Sequence, residues 1–547
     1  MFVLENENEH RVKIFDVLVR TVMVSMNLSK NNTITVAVLS LILTLASTAI
    51  STPQILYATN ATLPAQVALG QEESSPLKGM NFSKPVDVYS NKQGILEVTL
   101  VAQEKHGLVG NRSFTAMVYN GSLIPPTLHI KAGERLVVNL VNRLHQPTNL
   151  HFHGFHVSPT GSSDNVFRMV EPYETARYVL DVPINHQPGT YWYHPHMHGL
   201  ATVQVGSGMS GLIIQTGLRD LLPSALHNIT EQTFALKAFP WSLNGTSTNP
   251  IYKWAKYFTV NGQINPVVNI SPGETQLWHF ANIDPGTFYN ITLPGHTFHV
   301  IAEDANPVWK VWDAKNLVIA AAKRFDVLVT GGQNGTYPLK TLPYTRSGFS
   351  PSSAVTLATV NVHGKARAET VIPSSLYPGS SSLYPDLGNA QIAAKRTLVF
   401  NGSPDNQTAN RFGDVGTNQI NGKVFDPNRV DYIVKLGDVE EWTLINKDNE
   451  DHTFHIHIDD FQVMSVNGHP YHANGMQDTV VLPQGGQVVV RIPFTDFVGK
   501  FLFHCHILPH EDTGMMGVVE VVDPFTHGCA NGGMCSESND PYEGEGR

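Results

Sequence analysis

Beyond residue 60 the chain is a succession of short segments in which apolar and polar residues alternate, each soon interrupted by Gly, Pro or Asn. Alternation with period two buries one face of a strand and wets the other. Strands this short, broken this often, build sandwiches. No convincing long helix appears after the first 60 residues. The predicted class is all-β. The pattern also repeats. NGSLIPPTLHIKAGERLVVNLVN begins at Asn120, NGQINPVVNISPGETQLWHFAN at Asn261 and NGKVFDPNRVDYIVKLGDVEEWTLIN at Asn421. Each copy opens with Asn-Gly, passes a Gly-acid turn (Gly133-Glu134, Gly273-Glu274, Gly437-Asp438) and ends an alternating strand in Asn. A spacing of 140–160 residues means duplicated domains, not a solenoid of small units. Three domains are expected over 85–220, 228–368 and 390–523, with the second boundary in the stretch IPSSLYPGSSSLYP.

A histidine cluster follows each repeat: LHFHGFH (150–156), HTFHVI (296–301) and HTFHIH (452–457). Each copy then reaches a late strand, GTYWYHPHMHG in the first, GTYPLKTLPYT in the second and GKFLFHCHILPH in the third. The middle copy has no late histidine and no cysteine, and Ile301 stands where the third copy has His457. It reads as a domain that has lost its metal, with His296 and His299 structural.

Random placement of 25 His in 547 residues gives about one His-x-His. Here His151/His153, His194/His196, His455/His457 and His504/His506 all occur, and His196/His198 overlaps the second. Residues i and i+2 of a strand face the same way, so each pair aims two imidazoles in one direction. Two pairs lie in the first copy and two in the third. Packed face to face, those copies would bring eight imidazoles together. Eight ligands exceed the needs of one ion, and zinc is satisfied by about four, usually with more acids or thiols. They suit three copper ions with three, three and two ligands. His198 falls past its strand, and it and His156 are left unassigned.

The same period explains Cys505, which stands between His504 and His506. In GKFLFHCH, Phe501, Phe503 and Cys505 face one way and Leu502, His504 and His506 the other. The thiol turns into its own domain, where His452, His510 and Met515 can join it. Two imidazoles, a thiolate and a weak axial thioether make a blue-copper electron-transfer site. In the first copy, Pro195 occupies the place of the thiol between His194 and His196.

Composition narrows the partners. Only 15% of residues are charged and the net charge is −10, which argues against nucleic acid, since that needs a basic face. Residues 1–60 read as a leader: Lys30, then the apolar run ITVAVLSLILTLASTAI (34–50), then small residues, the order of a signal peptide or, uncleaved, a membrane anchor. Sequons such as Asn111, Asn228, Asn290 and Asn401 permit glycosylation outside the cell. In the 524–547 tail, Cys529 and Cys535 are natural disulfide partners in an exported chain, which leaves Cys505 alone and suited to metal ligation.

With HFHG (151–154), HPHMHG (194–199), HTFHIH (452–457) and HCHILPHEDTGM (504–515) in this order, the chain resembles three-domain multicopper oxidases of the laccase-like group. The resemblance covers roughly 90–523 and implies three Greek-key cupredoxin-like β-sandwiches holding four copper ions. It implies that His452, Cys505, His510 and Met515 bind a type 1 copper, and His151 and His455 a type 2 copper. His153, His194, His196, His457, His504 and His506 would hold a type 3 pair. The implied reaction takes four single electrons from a small reducing substrate, a phenol, an aromatic amine or a low-valent metal ion, and reduces dioxygen to water. Glu511 and, by a looser match, Asp164 would relay protons, and Asp448 would support His452. A copper nitrite reductase has two domains, which the three copies oppose. A copper-sequestering protein would not need a thiolate between cluster histidines. With 13 Met in all, and only Met464 and Met476 loosely placed near the thiol site, the methionine-rich insert of cuprous specialists is missing, which favours organic donors over metal ions.

Overall fold

Asn-Gly turns and buried asparagines shape each repeat. Asn120, Asn261 and Asn421 have φ of 52°, 54° and 54°, and the glycines that follow have 71°, 76° and 71°. Two successive left-handed residues make the type I′ hairpin turn, which Asn and Gly adopt at least steric cost. Each Asn side chain also straddles the adjacent strand. It accepts from the N–H of Val101, Ala235 or Val399 and donates to the carbonyl of Thr99, Thr233 or Thr397. The asparagines that close the alternating strands, Asn142, Asn282 and Asn446, are buried. Their carbonyls accept from the N–H two residues on, and their amides hold the next loop through Gln146, Thr287 and Glu450.

The computed structural model describes residues 80–109, 112–240, 256–345, 350–376, 386–403 and 417–525. The leader, Asn111, nearly all of the tail and the Cys529/Cys535 pair lie outside these residues. Among the described residues, no helix is long and apolar enough to cross a membrane.

Six sheets pair into three β-sandwiches, each around its own core. In the first, the sheet ordered Asp87–Tyr89, Thr127–Ile130, Gly211–Gln215, Gly189–His194, His151–His153 packs on the sheet containing Ile95–Val109 and Arg135–Asn142. In the third, the corresponding order is Tyr432–Lys435, Met516–Val522, Gly499–Cys505, His452–Ile456, Thr479–Leu482. Both sheets therefore set the early histidine strand beside the late one.

The middle sandwich corrects one expectation. Its strand in the place of His452–Ile456 is Tyr289–Thr292, beside Gly335–Leu342. HTFHVI runs into Phe298–Glu303, which lies in the other sheet where the third domain has Gln462–Val466. Ile301 is therefore not the counterpart of His457; the two clusters share letters but not position. His296 and His299 do serve local structure. His296 Nε2 accepts from the Gly332 N–H at 3.2 Å, and His299 Nδ1 lies 2.6 Å from Asp313.

Candidate metal centres

Strand register brings the four His-x-His pairs together. His151–His153 runs antiparallel to Gly189–His194 with His151 opposite His194, and His452–Ile456 runs antiparallel to Gly499–Cys505 with His455 opposite His504. The residues between, Phe152, Ile456 and Cys505, turn into the cores of their own domains. The imidazoles of the two domains meet directly. His151 stacks on His457 with ring centroids 3.8 Å apart at 10°, and His153 on His455 at 3.8 Å and 17°. His504 Nε2 lies 3.2 Å from both His196 Nε2 and His457 Nε2. His506 lies 4.9 Å from His153 and 5.4 Å from His194, between ring centroids. All eight predicted histidines are thus in one buried group.

These rings look like ligands. In several, one nitrogen is fixed by a protein acceptor while the other is buried without a partner: His151 Nδ1 faces Asp164 at 3.0 Å, His194 Nδ1 faces the Pro195 carbonyl at 3.0 Å and His455 Nδ1 the Asp478 carbonyl at 2.8 Å. His153 Nε2 faces Asp478 Oδ1 at 3.3 Å. The opposite nitrogens, His151 Nε2, His194 Nε2, His455 Nε2 and His153 Nδ1, have no hydrogen-bond partner. A buried orphan nitrogen is costly unless it binds something, and an outer acceptor that fixes the tautomer is the usual companion of a ligating histidine. Burial first, then repulsion among neighbours, holds His151, His153, His194, His457, His504 and His506 well below the ordinary imidazole range and His196 near 4. Neutral imidazole is the form that ligates a metal. The donor set fits copper, which imidazole suits.

The second group lies inside the third domain. Cys505 Sγ is 3.5 Å from His452 Nδ1 and 3.8 Å from His510 Nδ1, and those nitrogens are 3.2 Å apart. Burial would raise the Cys505 thiol, but His452 and then His510 bring it down to about 6. Met515 is fully buried in the same core, and its backbone bonds both Cys505 and His510. Asp448 reaches His452 Nε2 at 2.7 Å, as expected for a supporting acceptor. Of the four, only His510 reaches the surface, at 8% exposure, and there Glu450 lies 3.3 Å from its Nε2.

Both proposed proton acids border the histidine group. Glu511 is fully buried, 3.0 Å from His504 Nδ1 and 3.5 Å from His196 Nδ1, and neither of its oxygens has a hydrogen-bond partner. Burial raises its carboxyl to about 7. Asp164 sits against His151 and accepts from the Phe152 N–H, and burial raises it well above the ordinary range. The two unassigned histidines lie apart: His198 packs on Phe425, and His156 binds the Ile458 carbonyl and Asp496.

Four acidic or basic residues at these sites went unnoticed in the sequence: Asp478, which contacts His153 and His455; Arg324, which binds Asp478; Asp512, which accepts from the Ala201 and Thr202 N–H groups of the first domain; and Glu450, beside His510. Arg324 stands in a Lys-Arg pair between AAA and the apolar strand FDVLV, but nothing there points to Asp478.

Sequence models of a single family match all three sandwiches: multicopper oxidase, over residues 101–217, 229–364 and 394–524. The chain belongs to the multicopper oxidase family and is a copper-dependent oxidoreductase with oxygen as acceptor. It is 28% identical over 462 residues to the multicopper oxidase mco of Staphylococcus haemolyticus, spanning 81% of this chain and 92% of that one. It is 29% identical over 432 residues to the bilirubin oxidase of Albifimbria verrucaria, spanning 73% and 71%. The solved structure of a multicopper oxidase from Campylobacter jejuni, described as a metallo-oxidase, shares the fold with a TM-score of 0.69 at 24% identity, covering 84% of this chain and 98% of that one.

Proposed function

We propose that this enzyme couples four one-electron oxidations of a small donor to the reduction of dioxygen to two waters, using four copper ions held by two donor sets. His452, Cys505, His510 and Met515 would hold the type 1 ion, His151 and His455 the type 2 ion, and His153, His194, His196, His457, His504 and His506 the type 3 pair. Copper, when bound, supplies the one-electron redox and dioxygen chemistry that thiol and imidazole lack. One observation carries the reading: Cys505 faces His452 and His510, while its two chain neighbours belong to the buried histidine group. A few covalent bonds through His504 and His506 thus join a donor-facing site to a water-excluding one. His510 receives the donor at the surface. Glu511, with its carboxyl near 7, can give and regain a proton beside His504 near neutral pH, and Asp164 is placed to do so beside His151.

Phenolic or aromatic amine donors remain the favoured class, and the likeness to a bilirubin oxidase is in keeping with an organic donor. A second reading, oxidation of Cu(I), Mn(II) or Fe(II), is favoured by Glu450, a carboxylate one-third exposed beside His510. We place the enzyme outside the cytoplasm, on the strength of the apolar run at 34–50, as a secreted or anchored protein. Metal analysis and reaction stoichiometry test the proposal: about four coppers per chain and one dioxygen consumed per four donors, without peroxide. A single copper per chain, or peroxide as product, would contradict it.

A further inference from the structure

The middle domain carries no group of candidate metal ligands among the described residues, yet its Lys323 and Arg324 are fully or almost fully buried against the other two domains. Arg324 donates through Nη1 and Nη2 to the two oxygens of Asp478, at 2.7 and 2.6 Å, in the third domain. Through Nε it donates at 3.0 Å to the carbonyl of Thr190, on the first-domain strand that carries His194. Lys323 donates to Gln477 Oε1 at 3.0 Å and to the Thr479 carbonyl at 2.9 Å, on either side of Asp478. Asp304 of the middle domain accepts from the Arg324 and Thr479 N–H groups and from Lys323. Two consecutive cations therefore grip three consecutive residues of another domain.

What they grip sets two ligands. The Asp478 carboxylate faces His153 Nε2, which leaves Nδ1 as the free nitrogen, and its carbonyl faces His455 Nδ1, which leaves Nε2 free. The two-pronged Arg324 contact, one N–H to each oxygen, presents the Asp478 carboxylate to these rings as an acceptor. The fit around this pair is tight. A Cβ on Gly154, the glycine of HFHG at φ +81°, would lie 2.5 Å from Arg324 Nη2 and 2.6 Å from Asp478 Oδ2.

We propose that Arg324 is a positioning residue for the trinuclear site: by fixing Asp478 it sets the ring orientation and tautomer of His153 and His455, so the middle domain builds the copper site it does not ligate. A planar bidentate fork does this and a lysine ammonium does not. The inference rests on the copper reading above. If wild-type protein binds no copper and shows no blue band, that reading fails; if it does and the variants below match it, only this inference fails.

The test is a chelator competition on the copper-loaded full chain, followed by metal analysis and visible absorption. Arg324→Lys is expected to keep the blue thiolate absorption, and with it the third-domain fold, while the histidine-group copper binds about 10–100-fold more weakly. Asp478→Asn, of the same size, is expected to show the same selective loss, and the double variant to add little to either. Arg324→Lys that holds all its copper as wild type does overturns the proposal, as does equal loss of both kinds of copper. Should Arg324→Lys fail to fold, Asp478→Asn decides alone, and undiminished affinity there overturns it.

Discussion

Replacing Glu450 by Gln asks what kind of donor the exposed edge of His510 is built for. The carboxylate lies 3.3 Å from His510 Nε2 and its side chain is 33% exposed, so an incoming ion reaches it from the water side. Two unit charges about 4 Å apart in water interact by about 1 kcal/mol, so a divalent ion gains about 2. Screening over a Debye length of about 10 Å reduces this to about 1–2 kcal/mol. At about 1.4 kcal/mol per tenfold, Glu450→Gln is expected to lower kcat/KM for Mn(II) or Fe(II) about 5–30-fold. For a neutral dimethoxyphenol the change should stay within about twofold, because Gln keeps an acceptor for the His510 N–H. Steady-state oxygen uptake with both donor classes at low and high salt measures this, and the metal-ion penalty should shrink as salt rises. Equal losses for neutral and cationic donors, independent of salt, would refute the reasoning and show that Glu450 acts by holding His510.

Glu511→Gln removes the buried acid beside His504 and is expected to slow oxygen uptake about 10²–10⁴-fold, while anaerobic bleaching of the blue band by donor keeps its rate. Slowing of both steps alike would count against a proton role. Gly154→Ala forces a side chain into a left-handed position at about 1–2 kcal/mol and against the Arg324–Asp478 pair, so thermal unfolding should fall by several degrees. An unchanged melting point would show that the pair yields freely. His279 is pulled down by burial but raised overall by Asp326, which lies 2.7 Å away at the junction with Thr190 of the first domain. A raised folded-state value means its contribution is fully present below about pH 6.5 and lost as pH rises through that value. The stability gap between wild type and His279→Gln should therefore narrow as pH rises above about 6.5, and a constant gap would contradict the assignment.

Much of the site was legible because strand period two converts spacing directly into direction. His151/His153 and His455/His457 had to face together, and Cys505 had to face away from its neighbours, whatever the rest of the fold. Position within the repeat was less legible. HTFHVI and HTFHIH share letters, but His452 follows its closing Asn446 by six residues and His296 follows Asn282 by fourteen, and that offset carries the middle cluster into the other sheet. Counting from the buried asparagine, whose side chain fixes the loop start, would have exposed the mismatch. Asp478 and Arg324 were invisible for another reason. They are 154 residues apart and meet only where two domains touch, so no local period announces them.

Cys505 is the link between the two centres, and removing it is the most direct test. Copper-loaded wild type should absorb strongly near about 600 nm and consume oxygen with a reducing donor. Cys505→Ser should lose the blue band and nearly all uptake while keeping the copper of the histidine group. A Cys505→Ser protein that still oxidises donors at the wild-type rate, or a copper-loaded wild type with no blue band, would contradict it.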